Sequence, residues 1–186
     1  MSEMDRALTA LRAGKIVLYP TDTLLGLAVL PRSDAVRSLV QVKRRPEGAP
    51  MSVGLSSVEE VEEYARLTVR QRCELRSLLP GPYTVLVMPT PLARRRLPPG
   101  LFGKRGALGL RVPDHTIARE LARRAGPITS TSANLHGRPP CRTVQQARRQ
   151  FGAKVAVYLT GPPPPSGRPS TIIDLTRSHP HRRPRR

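Results

Sequence analysis

Residues 127–134, "PITSTSAN", decide how this chain is read. The stretch begins as a strand at Ile128 and passes without a break into three small hydroxyl side chains and an amide, Ser130, Thr131, Ser132 and Asn134. A strand that delivers polar groups at its end is what an open α/β sheet uses to bind ligands. Just before it, "HTIARELARRAG" (115–126) carries a helical pattern that stops at a glycine. After it, "TVQQARRQFG" (143–152) opens a second helix, with Thr143 as its cap and Gln146 three residues on. Helix, strand, polar loop and helix in succession predict a mixed α/β domain.

The same alternation recurs outward from there. Residues 3–14, "EMDRALTALRAG", predict a helix with Leu8 and Leu11 at helical spacing, and "KIVLYP" (15–20) a buried strand ended by Pro20. A helix over 33–45 takes Ser33 as its cap and turns Val36, Leu39, Val40 and Val42 inward. "MSVGL" (51–55) reads as a short strand, 57–67 as a helix opened by a Ser57/Glu60 capping box, and 70–79 as a further helix. A turn and strand occupy 80–89, and the Arg/Pro/Gly-rich residues 89–106 are expected to form a mobile loop. Strands at 107–113, 155–159 and 170–176 complete the set, the last two joined by the rigid-then-flexible "GPPPPSGRP" (161–169). Strands outnumber the obvious βαβ crossovers, so the expected fold is α/β (α+β) with a mixed sheet. There is no internal repeat.

At 186 residues the chain is most simply one domain over 1–178, large enough to bury roughly 70% of its unfolded surface. Its net charge of +19 and pI near 11.6 point to a polyanionic partner, although arginines on solvated helix faces would give the same count. Residues 179–186, "HPHRRPRR", cannot bury a face and are expected to be a disordered basic arm with non-specific affinity for RNA phosphates. Four of the 13 acidic residues, Glu59, Glu60, Glu62 and Glu63, fall in one predicted helix, which should face away from an anionic ligand. Cys73 and Cys141 have no CxxC or metal-ligand spacing, and no signal peptide precedes them, so a reducing cytoplasm is expected. No apolar run approaches the ~20 residues of a membrane span.

Three polar loops follow strands: "PTDTLLG" (20–26), "RVPDH" (111–115) and "STSAN" (130–134), while "KRRPEGAPMS" (43–52) supplies cations. Each has a local explanation as a turn or cap, but Arg111 in a strand requires an anionic partner. Several enzyme classes are excluded. "GPPPPSG" lacks the GK[ST] of a phosphate loop, no GxGxxG follows a strand, and GxSxG is absent. His115, His136, His179 and His181 do not form a metal set, whereas Asp22, Asp114 and Asp174 beside the loops are candidate caps or partners for Mg²⁺ or ammonium. A site built from Lys, Arg and small hydroxyls suits positioning and charge stabilisation, as in nucleotidyl transfer.

Together these motifs resemble the YrdC/Sua5 family, the threonylcarbamoyl-AMP synthases. The family's PT[DE]xx[YF]G is here "PTDTLLG", its KxRP is Lys43, Arg45 and Pro46, and its PGPxT is "PGPYT" (80–84). Its RVxDH is Arg111 to His115, its STSANxxG is Ser130 to Gly137, and its PST[IV][IV]D is Pro169 to Asp174. The resemblance spans about residues 5–176 and implies a twisted, open mixed sheet flanked by helices around a basic groove. It further implies that L-threonine, bicarbonate and ATP, with Mg²⁺, give threonylcarbamoyl-AMP and pyrophosphate. Partner proteins would then pass the carbamoyl group to adenosine 37 of tRNAs reading ANN codons. On this resemblance Lys43, Arg45, Ser132 and Asn134 bind ATP, and Thr21, Thr23, Arg111, Ser130 and Ser170 line the threonine end, with no catalytic nucleophile or base and no dedicated protein metal ligands. Leu25 stands where the family has an aromatic, Ala28 where glycine is frequent, and Gly54 where some relatives carry a polar side chain. The short, single-domain form is expected. Two other readings stay open: a non-catalytic RNA-binding module, and a paralogue acting on another carbamoyl acceptor.

Overall fold

The structure, a computed structural model, describes residues 1–46, 48–103, 105–164 and 166–176, together with the backbone of 181–183. Helix α1 (Glu3–Arg12) is opened by a complete capping box, in which Ser2 accepts from the Asp5 N–H and Asp5 reaches back to Ser2. It leads through β1 (Val17–Tyr19) and β2 (Gly26–Ala28) to α2 (Ser33–Val42). β3 (Ser52–Gly54), α3 (Val58–Tyr64), β4 (Ala65–Arg66) and α4 (Val69–Leu78) follow, then β5 (Tyr83–Pro89) and α5 (Pro91–Arg96). The chain closes with β6 (Leu108–Arg111), α6 (Thr116–Ala125), β7 (Ile128–Ser132), α7 (Val144–Phe151), β8 (Val157–Tyr158), β9 (Thr171–Asp174) and β10 (His181–Arg183).

The sheet runs β10, β9, β5, β6, β3, β7, β2, β1, β8, with β4 paired to the far end of β5. β9 with β5, β6 with β3, and β8 with β1 are parallel, and the other neighbours along this path are antiparallel. It is therefore a mixed open sheet, as the count of crossovers implied. Directly paired residues share a face, so the registers sort the strands cleanly. Leu18, Leu27, Val53, Leu110, Val85 and Ile173 lie on one face and enter the main apolar cluster, together with Leu39 of α2, Val61 of α3, Leu75 of α4 and Phe151 of α7. On the opposite face Val17, Ala28 and Ile128 pack under Leu8 and Leu11 of α1 and Leu121 of α6. Only part of that second face is covered by the two helices, and the rest is where the polar residues lie.

Four expectations need correction. Residues 89–106 are not a simple loop: Thr90 caps α5 by accepting from the Ala93 N–H, Pro91 fits the first helical turn, and a 3₁₀ turn (Pro99–Leu101) follows, burying Ala93, Leu97 and Leu101. Ser33 is the first residue of α2 rather than its cap, since Arg32 takes the cap position, with no side-chain bond to the helix's backbone N–H groups. The Ser57/Glu60 box is half formed: Ser57 accepts from the Glu60 N–H, but the Glu60 carboxylate reaches one residue further back, to the Ser56 N–H at 2.7 Å and hydroxyl at 2.8 Å. Within the basic arm, His181–Arg183 pair antiparallel with β9, Arg182 opposite Ile173, so this part continues the sheet. Residues 179, 180 and 184–186, with His179 among them, lie outside the described residues. No helix among the described residues is long and apolar enough to cross a membrane.

Candidate active site

The uncovered part of the second face is a cavity of about 620 Å³. The register explains why space exists there. Opposite the Leu and Val residues of the main core, the strands carry Gly26, Ser52, Gly54, Gly109, Ser130 and Ser132 on the cavity side. Gly26 is required by contact: a Cβ there would stand 2.7 Å from Cε1 of the Tyr19 ring. That ring is buried, and its hydroxyl donates to Ser130 Oγ at 3.2 Å. Burial pushes the Tyr19 phenol up, against the opposing pull of Ser130 and Arg111, so it serves as a neutral donor.

All nine residues named from the sequence line this cavity. Lys43, Arg45, Ser132 and Asn134 meet there, as do Thr21, Thr23, Arg111, Ser130 and Ser170. Most of them fall into hydrogen-bonded groups. In the first, Lys43 Nζ donates to the carbonyl of Ser132, to the carbonyl of Asn134 at 2.8 Å and to Asn134 Oδ1 at 3.3 Å, while Ser132 Oγ donates to Asn134 Oδ1 at 2.6 Å. Lys43 is 1% exposed, so its charge lies inside the wall and acts on the cavity through a short, water-poor path.

Its position comes from the end of α2. The Arg44 N–H bonds Gln41 O and the Arg45 N–H bonds Val40 O, a Schellman closure in which Arg44 takes φ +49° where glycine is usual. This reversal leaves Lys43 pointing in and lets Arg45 anchor to the next loop, its guanidinium donating to Ala49 O at 3.3 Å and Pro50 O at 2.9 Å. Burial lowers the Arg45 pKa from its ordinary value, yet an arginine stays charged at any physiological pH. The His136 N–H donates to Lys43 O at 2.8 Å, tying the "STSANLHG" loop to the same helix end.

The second group surrounds Arg111. Its Nη2 meets Asp22 Oδ1 at 2.5 Å and also donates to Thr23 Oγ1, and Thr23 Oγ1 is 3.1 Å from Thr21 Oγ1. Thr21 also closes its own turn, donating to Leu24 O at 2.6 Å and accepting from the Thr23 and Leu24 N–H groups. The anion that a buried arginine requires is thus internal. A third pair, Ser170 Oγ and Thr84 Oγ1 at 2.8 Å, joins β9 to β5.

The sequence reading did not assign Thr84, His136 or Arg138 to the site, and all three line the cavity. Thr84 belongs to "PGPYT" and the other two continue the STSAN loop, so the signal was adjacency to motifs already in hand. Among the described residues the lining includes no carboxylate and no residue of the acidic helix α3. Among the described residues no group of three or more His, Cys, Asp or Glu could hold a metal. A concave wall of cations, hydroxyls and one amide can hold a polyphosphate and orient small polar reactants.

The family model for Sua5, YciO and YrdC, described as "Telomere recombination", matches residues 9–185. The chain belongs to this family. The threonylcarbamoyl-AMP synthase of Vibrio parahaemolyticus is 32% identical over 183 residues, covering 96% of this chain and 97% of the relative. That of Photorhabdus laumondii is 35% identical over 175 residues, covering 91% and 90%. Among solved structures, P. abyssi Sua5 complexed with L-threonine superposes with a TM-score of 0.86 at 28% identity, over 97% of this chain. The chain spans about half of that protein, 53% of its length.

Proposed function

We propose that the cavity is the active site of a synthase that joins L-threonine, bicarbonate and ATP into threonylcarbamoyl-AMP, releasing pyrophosphate. The observation that carries this reading is the convergence of nine residues, from segments spread between Thr21 and Ser170, on one cavity lined by Lys and Arg. Relatives of nearly equal length that bear the synthase name support it.

In this reading Lys43 and Arg45 stabilise the triphosphate, and Ser132 and Asn134, held by the same lysine, orient the nucleotide. Arg111 takes the threonine carboxylate, with Thr21, Thr23, Ser130 and Ser170 around it. The reaction needs no enzyme nucleophile. The neutral threonine amine bonds to the carbon of bicarbonate as a C–O bond breaks and water leaves with an amine proton; an oxygen of the resulting carbamate then bonds to the α-phosphorus, and the bond from that phosphorus to pyrophosphate breaks. Mg²⁺ would enter with the ATP phosphates, because the lining supplies, among the described residues, cations and hydroxyls rather than carboxylates. The product would pass to partner proteins acting on adenosine 37 of ANN-reading tRNAs, and the chain would then work in the cytoplasm.

The test is pyrophosphate release by the purified protein with ATP, Mg²⁺, bicarbonate and L-threonine, each omitted in turn. Release that needs all four is the expected result. Release with an unrelated amine in place of threonine would move the activity to another carbamoyl acceptor, and release with no acceptor at all would be plain cleavage of ATP. ATP or RNA binding with no release would leave a binding module.

A further inference from the structure

Lys43, Arg45, Arg111 and Arg138 all line the cavity, but they differ in how far their charged groups are committed to the protein. Lys43 is 1% exposed and donates to two carbonyls and an amide oxygen. The Arg111 side chain is 8% exposed and paired with Asp22. Arg45 spends two donors on the carbonyls of Ala49 and Pro50. Arg138 is exposed, and its guanidinium makes no hydrogen bond or ion pair among the described residues.

Its backbone, by contrast, is fixed. The Arg138 N–H closes a turn onto Leu135 O at 3.0 Å, with Gly137 supplying a φ of +74°. Asn134 Nδ2 holds that turn from inside, donating to Leu135 O at 2.9 Å and to Arg138 O at 2.7 Å. The oxygen of the same amide accepts from Lys43 Nζ at 3.3 Å, and the His136 N–H donates to Lys43 O at 2.8 Å. The turn is therefore tied to Lys43 at two points, and Arg138 presents uncommitted donors from a fixed base on the phosphate side of the cavity.

A guanidinium is planar, always charged and carries five N–H donors, so it takes phosphate oxygens in pairs. In the reaction read from this cavity the two outer phosphates of ATP are the ones that depart, so they must lie toward the open side. The α-phosphorus must instead meet the carbamate formed beside buried Arg111. An exposed lining cation with all its donors free matches the outer phosphates and not the inner one.

We propose that Arg138 is a specificity-determining residue that grips the outer phosphates of ATP and makes the cavity prefer a triphosphate to a monophosphate. The proposal rests on the reading of the cavity as a nucleotide site. It adds to Lys43 and Arg45 a third phosphate contact, carried by a turn at the rim.

The experiment is calorimetric binding of ATP with Mg²⁺, and of AMP, to the full chain and to Arg138→Ala. The wild-type protein should favour ATP, and Arg138→Ala should cut that preference by roughly tenfold, the size of a charge-assisted phosphate contact. AMP affinity should be unchanged, which also checks that the turn has kept its shape. A wild-type protein with no preference for ATP would overturn the proposal even if the variant does not fold. So would an Arg138→Ala protein that keeps the wild-type preference, whether it binds both nucleotides as before or loses both equally. A wild-type protein that binds neither nucleotide would overturn the nucleotide reading together with the proposal. Because only binding is read, a protein that binds ATP without releasing pyrophosphate can still bear out the role of Arg138, and an active synthase can still refute it.

Discussion

The two faces of the sheet are built from the same strands and differ in the size and polarity of their side chains. β6 reads Leu108, Gly109, Leu110, Arg111, and β3 reads Ser52, Val53, Gly54. The leucines and the valine fill the main core, while the glycines, the serine and the arginine face the other way. A hypothetical Cβ on Gly109 would lie 3.0 Å from Ser52 Oγ, so even the small residues on that side are in close contact. The alternation teaches how a sheet makes a cavity without giving up its stability. One face closes by burying apolar area, and the other stays open because its residues are too small to fill the space above them. Where α1 and α6 cross that second face, Ile128 and Ala28 return it to apolar packing.

The comparison says that stability and activity should separate by face, and Lys43 is where the separation should fail most severely. Its ammonium serves both, because it satisfies the Ser132 and Asn134 carbonyls inside the wall as well as charging the cavity. Lys43→Ala should therefore lower pyrophosphate release by two or more orders of magnitude and also cost about 2–4 kcal/mol of stability, the loss of charge-assisted bonds that leave buried carbonyls unpaired. Enzyme assay beside a urea titration checks both. A Lys43→Ala protein of wild-type stability would show that the STSAN loop holds its shape without the lysine.

A matched pair of truncations sharpens the contrast. Leu110→Ala removes a fully buried side chain from the closed face and should cost about 2–5 kcal/mol. Ser130→Ala, on a neighbouring part of the open face, breaks only the 3.2 Å bond from Tyr19 and should cost about 1 kcal/mol. Activity should rank the other way once each protein is assayed well below its melting temperature, with Ser130→Ala the more impaired. Equal losses of activity would mean the cavity senses the core as strongly as its own lining.

How far the sequence disclosed all this follows the same division. The nine candidate site residues were named because the motifs that carry them, among them KxRP, RVxDH and STSAN, resemble a known family's, while their residue types alone showed only polar loops at strand ends and an arginine in a strand. Their hydrogen-bond partners were not legible. Nothing in the order of residues says that Lys43 reaches the Asn134 carbonyl, 91 positions away, or that Asp22 is the counter-ion of Arg111, 89 positions away. Most helices were legible from their period, and β1, β3 and β8, as short as β2, β4 and β10, from the apolar runs around them; β2, β4 and β10 lie at a polar loop's end, in a predicted helix and in the basic arm, where only pairing with a neighbour makes a strand. Helix α5 hid behind its arginines and prolines, although Thr90 followed by Pro91 is a sound start signal.

The end of α2 offers the smallest and most informative change. Arg44 is the one non-glycine described with positive φ, at +49°, and the conformation is needed to turn the chain so that Lys43 points into the wall while Arg45 reaches Ala49 and Pro50. For a residue with a Cβ this region costs about 1–2 kcal/mol, part of which glycine returns through the extra freedom of its unfolded chain. Arg44→Gly should therefore raise stability by up to about 1 kcal/mol in a urea titration, with the Schellman bonds to Val40 and Gln41 intact. If activity is also unchanged, the strain at this turn is incidental and the arginine is there for its charge or by composition. If stability rises while activity falls, the Arg44 side chain itself contributes to the open face, and the cation count of the site must be raised by one.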